Sequence, residues 1–248
     1  MASLPNKIGS PFLELQSTDS TNNYAMALAH SGVATHGMAV FAHKQLKGKG
    51  QRKKGWISER SKNILLSIII EPEGLILSVS YVLNMAMVLG VYSLLSKYAG
   101  EGIKIKWPND IYCYDKKAAG ILIENIVQGN NWKYSIVGVG INVNQLNFGE
   151  ITHAVSLKQI TGKDYDVITL SKELCKELQF YFDELKADST LIKKKYHQHL
   201  YKLNEPVRLK KNNRIFEAII KGVTDNGELV VQHFTEELFS VGEVEWLV

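Results

Sequence analysis

The sequence has very few cysteines, and their positions exclude two kinds of architecture. Cys113 and Cys175 are the only cysteines among 248 residues, and they lie far apart with no CxxC partner or clustered histidine. A disulfide framework and a zinc site are therefore both excluded, and a reducing compartment, the cytoplasm, is expected. The N-terminal stretch MASLPNKIGSPF has no basic segment followed by an apolar run, so no secretory signal is predicted.

Long uncharged runs are also scarce, with one exception. No charged residue occurs from Gly74 to Ser96, which is long enough to suggest a membrane span. The stretch nevertheless contains several serines, tyrosines and an asparagine, and its start has the character of a turn after Pro72. We therefore predict a buried helix at about 78–98 and no membrane association.

Acidic residues are missing from one segment, in which basic residues are concentrated. No Asp or Glu occurs between Asp19 and Glu59, whereas KQLKGKGQRKKGW (44–56) contains six basic residues and three glycines. The chain has a net charge of +4, so without these six cations the remainder would be slightly acidic. Such local basicity favours a phosphate- or carboxylate-binding site over a nucleic-acid-binding surface spread across the protein.

Hydrophobic periodicity predicts an α+β fold with two domains. Strands are expected at 12–17, 38–43, 64–70, 103–107 and 134–144, with a hairpin formed by IYCY and AAGILIENIV around DKK. Helices are expected after TDST, at about 78–98, at about 169–186 with Thr169 as the cap, and at about 189–200. Four short strands are expected after Asn204, with TDNG as a tight turn. Residues 1–203 thus form a mixed, mostly antiparallel sheet packed on helices, and residues 204–248 form a small β domain.

Three polar segments follow predicted strands, where functional loops tend to lie. They are DSTN (19–22), the basic loop 44–56 and KWPNDIYCYDKKAAG (106–120). The basic loop matches neither GxxxxGK[ST] nor GxGxxG, so it is not a P-loop or a dinucleotide fingerprint. From composition alone it fits a solvated loop, a clamp for a small phosphate ligand or a nucleic-acid patch.

The third segment also leaves alternatives open. Asn109 and Asp110 follow Pro108, and they fit either an Asx turn or the recognition of a heterocycle or a metal-bound phosphate. The two lysines of DKK fit a solvated hairpin tip, although the small residues that follow, Ala118 to Gly120, leave room for a ligand.

In this order and at these spacings, the segments resemble the biotin protein ligases. The resemblance is carried by DSTN, GKGQRKKGW, KWPNDIY followed by KKAAGILIE, and GVGINVN, and it extends from about residue 12 to the C-terminus. It implies a class II synthetase-like ligase core with a small C-terminal SH3-like β-barrel. It also implies that ATP and Mg²⁺ activate biotin to biotinoyl-5′-AMP, and that biotin passes to a lysine of a biotin carboxyl carrier protein.

The resemblance implies roles for individual residues. The expected catalytic residues are Lys117, which would bridge the biotin carboxylate and the α-phosphate, Arg52 and Asp110. The expected biotin contacts are Ser20, Thr21, Asn22, Gln45, Gly48, Lys49, Gly50, Lys117 and Gly120. The expected ATP contacts are Gln51, Arg52, Trp56, Asn109, Lys117 and Asn142. No resident metal site is expected.

The basic loop departs from the family's usual pattern, GRGRRGRxW. Lys49 and Gln51 stand where arginine is usual, and Lys53 stands where glycine is usual. Lysine keeps the charge but loses the bidentate fork, and glutamine loses the charge. We hypothesise that the loop of this chain retains the adenylate less tightly than an arginine-rich loop would.

Two other functions remain as alternatives. A lipoate–protein ligase would share the fold and the chemistry, but its RRxxGGGxVxHD stretch is absent. A nucleic-acid-binding module would use residues 44–54 and the strand around Arg208–Arg214, although the loop has no interleaved aromatic residues.

The resemblance also bears on partners. Longer relatives carry an N-terminal winged-helix domain and act as repressors. Only about a dozen residues precede the first strand here, so we expect a short form without sequence-specific nucleic-acid binding. An edge of the main sheet is available for a homodimer, as in some relatives, but no residue pattern establishes one.

Overall fold

The structure is a computed structural model that describes residues 7–53, 55–77 and 80–247. Its larger sheet has seven strands in the order β1-β2-β3-β7-β6-β5-β4. The strands are β1 Phe12–Leu15, β2 Ala39–Ala42, β3 Asn63–Ile70, β4 Ile103–Lys106, β5 Asp110–Cys113, β6 Lys116–Gln128 and β7 Asn131–Asn142. Only β1 and β2 pair in parallel in this sheet, which confirms the prediction of a mixed, mostly antiparallel sheet.

The helices of the described chain are α1 Thr21–His30, α2 Ser80–Ala99, α3 Leu157–Thr161, α4 Val167–Ala187 and α5 Ser189–Gln198. The predicted cap of α4 was wrong. Asp166 is the N-cap, because its carboxylate accepts a hydrogen bond from the Thr169 backbone N–H and the helix begins at Val167. Helix α3 was not predicted, since its single turn is too short for a periodic signal, although Ser156 and Gln159 form a capping box.

The two faces of the larger sheet carry different layers. Ile64, Leu66 and Ile68 of β3 belong to the main core beneath α2 and α4, whereas Ile69 packs in a smaller cluster with α1. Because side chains alternate along a strand, Ser67 shares the α1 face of the sheet with Ile69. This face carries the candidate site described below.

Helix α2 is a core helix, as predicted. It packs against α4, α5 and the sheet, and Val82, Met85 and Leu89 are among its fully buried side chains. The segment Ser80–Gly102 is long and apolar enough to cross a membrane, but most of it is buried within the fold, as in core helices of globular proteins. The first two residues of the predicted helix lie outside the described residues.

The C-terminal strands form a second, antiparallel sheet in the order β11-β10-β9-β8-β12. They are β8 Pro206–Lys211, β9 Arg214–Val223, β10 Leu229–Gln232, β11 Glu236–Phe239 and β12 Glu245–Leu247. The prediction of four strands was wrong in one place. The stretch LFSVGEVEWLV is divided between β11 and β12, because Gly242 takes a left-handed φ of +102° in the intervening turn.

The second sheet is joined to the first through a continuous core. Leu209, Ile220 and Phe239 belong to the same buried cluster as the residues under α2. The indole N–H of Trp107 donates a 2.9 Å hydrogen bond to the carbonyl of Gly227, in the predicted TDNG turn. The C-terminal β domain is therefore held against the segment that connects β4 and β5.

Candidate active site

A cavity of about 730 Å³ lies on the α1 face of the larger sheet. The start of α1, the loop 44–56, strands β4 to β7 and the C-terminal β domain line it. The predicted site residues along its wall are Ser20, Thr21, Asn22, Gln45, Lys49, Gly50, Gln51, Arg52, Trp56, Asn109, Asp110, Lys117 and Gly120. Residues that are distant in sequence thus meet at one place.

The floor of the cavity is built from glycines on two adjacent strands. Gly120 of β6 lies directly opposite Gly140 of β7, and Gly138 is two residues away on the same face. A Cβ at Gly138 would lie 2.2 Å from the Asn22 Oδ1, and one at Gly140 would lie 2.6 Å from the Trp56 ring. Gly138 and Gly140 belong to the GVGINVN motif, but sequence analysis assigned them no role in the site, although alternating glycines along a strand indicate a close approach to the backbone.

One end of the cavity is lined by neutral polar side chains, of which Asn22 donates a 2.8 Å hydrogen bond to the carboxylate of Glu124. The Gln45 Oε1 accepts hydrogen bonds from the Thr21 backbone N–H, at 2.7 Å, and from the Thr21 hydroxyl, at 3.0 Å. Ser67, which sequence analysis missed, places its Oγ 2.6 Å from the Asn22 Oδ1 and 2.8 Å from the Thr21 Oγ1. Ser20, the N-cap of α1, is also buried here. This end offers a fixed set of neutral donors and acceptors.

Lys117 reaches the cavity because of a β-bulge. The register between β5 and β6 shifts so that Ile111 faces Ala119 and Tyr112 faces Lys117, which leaves Ala118 unpaired. Simple alternation would put Lys117 and Gly120 on opposite faces, and the extra residue brings them to the same face. The Lys117 Nζ then lies 2.7 Å from the Asp110 Oδ1.

The segment that carries Asn109 and Asp110 is fixed at Pro108. The Pro108 carbonyl accepts hydrogen bonds from the hydroxyls of Tyr81, at 3.1 Å, and Tyr196, at 3.2 Å. The Asn109 amide donates to the carbonyl of Ile121 on β6. The backbone around the acidic residue is therefore held from several directions, as expected for a site that positions a ligand.

Lys106 is a further basic residue of the cavity, which sequence analysis missed. It lies opposite Asp110 in the β4–β5 pair, and its side chain is 8% exposed. The Nζ lies 4.4 Å from the ring centroid of Tyr112 and 5.3 Å from that of Trp246. Burial lowers the pKa of Lys106 to about 8, and the charge of Lys117 acts in the same direction while that of Asp110 opposes it. Strand periodicity did not separate this lysine from Lys104, although Lys106 is the first residue of the KWPNDIY motif.

The described residues of the loop 44–56 lie over the glycine floor, and the two arms of the loop pair at its base. Lys49 pairs with Gly55, and the Trp56 N–H donates a 2.9 Å hydrogen bond to the Gly48 carbonyl. The Lys49 Nζ lies 3.5 Å from the Glu124 Oε1 of β6. The Trp56 ring packs on the floor, where its centroid lies 5.7 Å from the Lys117 Nζ.

Gly48 and Asn142 do not line the cavity. Gly48 supports the base of the loop, because a Cβ there would lie 2.4 Å from the Trp56 carbonyl oxygen. The Asn142 amide donates to the backbone carbonyls of Lys117, at 3.3 Å, and Val155, at 3.2 Å. In this structure both residues contact the elements that carry the site.

The C-terminal β domain closes the cavity opposite the floor. Its lining residues are Lys210, Asn212 and Val241 to Trp246. Lys210 and Asn212 lie in the stretch considered above for nucleic-acid binding, and the sequence indicated no role for the others. The indole N–H of Trp246 is buried and has no hydrogen-bond partner in the structure, as is also true of Trp56.

The cavity thus combines two chemical environments. A neutral hydrogen-bonding end lies next to a glycine floor. The rest of the lining carries more cations than carboxylates, namely Lys49, Arg52, Lys106, Lys117 and Lys210 against Asp110, Glu243 and Glu245. Such an arrangement fits a ligand with an uncharged polar head and a strongly anionic tail. Among the residues that the structure describes, no group of three or more His, Cys, Asp or Glu could hold a metal ion.

Two stretches of the chain match known protein families. Residues 14–142, just over half of the chain, match the biotin/lipoate A/B protein ligase family, and residues 202–246 match the biotin protein ligase C-terminal domain. The bifunctional ligase/repressor BirA of Bacillus subtilis is 30% identical over 219 residues, which cover 86% of this chain and 66% of that protein. The biotin–[acetyl-CoA-carboxylase] ligase of Paracoccus denitrificans is 28% identical over 88% of this chain and 92% of its own length.

Solved structures are similar over almost the whole chain. The biotin protein ligase of Aquifex aeolicus in complex with biotin and ATP superposes with a TM-score of 0.79 at 26% identity. The match covers 95% of this chain and 97% of that one. The ligase of Leishmania major in complex with biotinyl-5-AMP, at 22% identity and a TM-score of 0.66, shares the fold.

Proposed function

The chain belongs to the biotin/lipoate A/B protein ligase family, and we propose that it is a biotin protein ligase. It activates biotin with ATP to biotinoyl-5′-AMP and then transfers biotin to a lysine of a biotin carboxyl carrier protein. The observation that carries the proposal is the two-part cavity. Its neutral end suits the ureido head of biotin, and its excess of cations suits the biotin carboxylate and the phosphates of ATP.

In the proposed complex, biotin lies along the glycine floor. The hydroxyls and amides of Ser20, Thr21, Asn22 and Gln45 bind the ureido group, because they supply donors and acceptors without charge. Gly120 leaves space for biotin, and Lys49 and Gly50 of the loop, whose base Gly48 supports, enclose the ligand from above. The carboxylate of biotin then points toward Lys117.

In the first step, the biotin carboxylate oxygen attacks the α-phosphorus, and the bond from that phosphorus to pyrophosphate breaks. Two anions must approach each other, so the step requires cations in a site with little water. Lys117 bridges the carboxylate and the α-phosphate, and Arg52 binds the phosphates. Gln51, Trp56 and Asn109 line the cavity and are assigned to the nucleotide, whereas Asn142 supports the backbone of Lys117 from outside the cavity.

In the second step, the amine of the carrier lysine attacks the acyl carbon of the adenylate. The carbon–oxygen bond to AMP breaks, and the amine loses a proton as the amide forms. Asp110 lies beside the activated carboxyl group, next to Lys117. Because water would hydrolyse the adenylate between the two steps, the loop 44–56 acts as a lid that excludes it.

Magnesium fits this site as an ion bound to the nucleotide. Mg²⁺ usually keeps several waters and binds through substrate phosphates and one or two carboxylates. The described residues offer no clustered set of metal ligands, and the carboxylates that line the cavity are Asp110, Glu243 and Glu245, of which Asp110 lies next to Lys117. The ion would offset phosphate charge, and Lys117 and Arg52 would do the same from the protein.

Two observations favour this function over its alternatives. The biotin ligase C-terminal domain matches residues 202–246, which supports biotin rather than lipoate as the substrate. Lys49 and Arg52 of the basic loop line the cavity, and Lys49 pairs with Glu124, which supports a ligand clamp rather than a nucleic-acid surface.

Several broader assignments accompany the proposal. We propose a domain boundary between residues 203 and 204. We also propose that the protein is cytoplasmic, because the free, buried Cys113 and Cys175 would remain reduced there. The outer edge of β4 is occupied, because the Ile105 N–H donates to the His199 carbonyl at 2.9 Å. A homodimer through the edge of the larger sheet would therefore use β1.

The deciding experiment supplies the purified protein with MgATP and either biotin or lipoate. We expect pyrophosphate to be released from ATP when biotin is present and not when lipoate is present. We also expect a carrier domain, when added, to become biotinylated on one lysine. Pyrophosphate release with lipoate alone would instead assign a lipoate ligase. Release with neither acid would refute ligase activity.

A further inference from the structure

The tip of the basic loop touches the C-terminal β domain through Arg52. Arg52 has a left-handed backbone, with φ 54° and ψ 41°, inside the short turn Gln51–Lys53. This conformation is unfavourable for a residue with a Cβ, and such residues are often held by contacts at functional sites. The contact that accompanies it here is with Gly242, in the turn between β11 and β12.

Gly242 is required by two independent constraints. Its φ of +102° is a backbone conformation that residues with side chains rarely adopt. In addition, a Cβ at this position would lie 2.2 Å from one Arg52 Nη atom and 2.6 Å from its Cζ. The arginine head group therefore rests directly on the glycine backbone, where there is no space for even a methyl group.

The turn that carries Gly242 is well anchored. The Glu243 carboxylate accepts a 3.0 Å hydrogen bond from the Ser240 N–H, and the Glu243 N–H donates a 3.0 Å hydrogen bond to the Ser240 carbonyl. Strand β12 follows at once and pairs with β8. These contacts hold the turn in place, so we take the loop tip to be the element that moves when the contact forms.

We propose that Gly242 is the seat on which Arg52 rests when the loop covers the cavity, so that the C-terminal β domain holds the lid closed. Gly242 is a positioning residue that acts through Arg52. A guanidinium packed against a backbone keeps its five N–H donors for phosphate oxygens, so the same contact orients Arg52 toward the nucleotide. The proposal rests on the proposed function for its consequence, the retention of the adenylate, but the contact itself is independent of it.

The first test uses the protein without ligand, so it does not depend on enzymatic activity. Trypsin cleavage after Lys47 and Lys49 reports how often the loop opens, and mass spectrometry quantifies these cuts. We expect Gly242→Ala to increase the cleavage rate about fivefold or more, because its methyl group displaces Arg52. Arg52→Ala alone should have a similar effect, since it removes the other partner of the contact.

A double-mutant cycle distinguishes loss of the contact between Arg52 and Gly242 from general destabilisation of the C-terminal β domain. When Arg52→Ala is already present, adding Gly242→Ala should change loop cleavage less than about twofold. Gly149→Ala is the matched control, because Gly149 also has a left-handed φ, of +60°, but nothing lies within 4 Å of its added Cβ. We expect wild-type loop cleavage in that variant.

The second measurement connects the seat to the reaction. With biotin and MgATP but no carrier, slow continued pyrophosphate release reports loss of the adenylate, and Gly242→Ala should accelerate it. An unchanged cleavage rate in both single variants, or additive effects in the double variant, would overturn the proposal. If Gly242→Ala did not fold, the Arg52→Ala result alone would decide. Failure of all pyrophosphate release in the wild type would refute the ligase function and leave the cleavage result standing.

Discussion

The Lys117 Nζ and the Asp110 Oδ1 lie 2.7 Å apart across the β5–β6 hairpin. They come together because the bulge at Ala118 turns Lys117 onto the face of Asp110 and Gly120. Both side chains are partly exposed to the cavity, so the pair is accessible to a ligand. An anionic substrate would bind Lys117 beside a carboxylate that already fixes the position of the amine.

Replacement of Lys117 by alanine is expected to abolish most adenylate formation. Removal of one charge-stabilising donor typically costs about 10²–10³-fold in rate, and Lys117 would stabilise charge on both reacting anions. Pyrophosphate release with biotin and MgATP measures the effect, and circular dichroism checks the fold. Lys116→Ala, at the adjacent exposed position, is the control and should retain wild-type activity. Equal activity of the two variants would contradict the assignment.

The bulge also shows what the sequence could and could not predict. The order of strands and helices followed from periodicity, because buried strands such as β3 and the uncharged helix α2 carry strong local signals. Lys117 was predicted only through the family resemblance. Local alternation would have placed it on the wrong face, because a bulge depends on pairing with a distant strand.

The residues that were missed depend on tertiary packing. Lys106 has the same local pattern as Lys104, and its burial arises from Tyr112, Tyr201 and Trp246, which lie far apart in sequence. Gly242 takes part in the cavity only because the C-terminal domain docks against the larger sheet. Neither relationship leaves a periodic or compositional trace in the sequence.

A methyl group on the cavity floor is expected to weaken adenylate binding. In Gly140→Ala, the new Cβ would lie 2.6 and 2.7 Å from two atoms of the Trp56 ring, so the ring must move away from the floor. Small displacements of positioning groups can cost up to about 10²-fold, and we expect at least about tenfold weaker binding of a non-hydrolysable adenylate analogue. Calorimetric titration measures the affinity.

The control for this prediction is Gly129→Ala, in the turn between β6 and β7. Nothing lies within 4 Å of a Cβ added at Gly129, and its left-handed φ of +58° should affect stability rather than binding. Analogue affinity should therefore match the wild type. Unaltered affinity in Gly140→Ala would show that Trp56 is not held against the floor.

Introduction of arginine at position 51 is expected to slow loss of the adenylate. Gln51 lines the cavity next to Arg52 and carries no charge. A charged hydrogen bond to phosphate contributes about 1.5–3 kcal/mol, which corresponds to at least about tenfold slower dissociation. Release of labelled adenylate into excess unlabelled ligand measures the rate. Lys47→Arg is the control, because it adds an arginine on the exposed part of the loop, outside the cavity, and should leave the dissociation rate unchanged. Equal dissociation rates in the wild type and Gln51→Arg would contradict the hypothesis.

Lys106 predicts a specific dependence of folding stability on pH. Its pKa in the folded protein is about 8, below the ordinary lysine value of 10.5, because burial disfavours the charged form. Between these two values the unfolded chain binds more protons than the folded protein, so a rise in pH favours the folded state. Below about pH 8 both states are charged and the dependence disappears.

Comparison with Lys106→Met isolates this contribution. Methionine fills the aromatic cage formed by Tyr112, Tyr201 and Trp246 but does not titrate. From about pH 7.5 to about pH 9.5, the wild type should gain on the order of 2 kcal/mol of unfolding free energy relative to Lys106→Met. Urea unfolding at each pH measures the unfolding free energy of both proteins. Subtracting one value from the other removes the contributions of titratable groups that the two proteins share. Lys116→Met, at an exposed position, should follow the wild type. A constant difference between wild type and Lys106→Met across this range would mean that the lysine keeps its charge inside the cage, held there by Asp110.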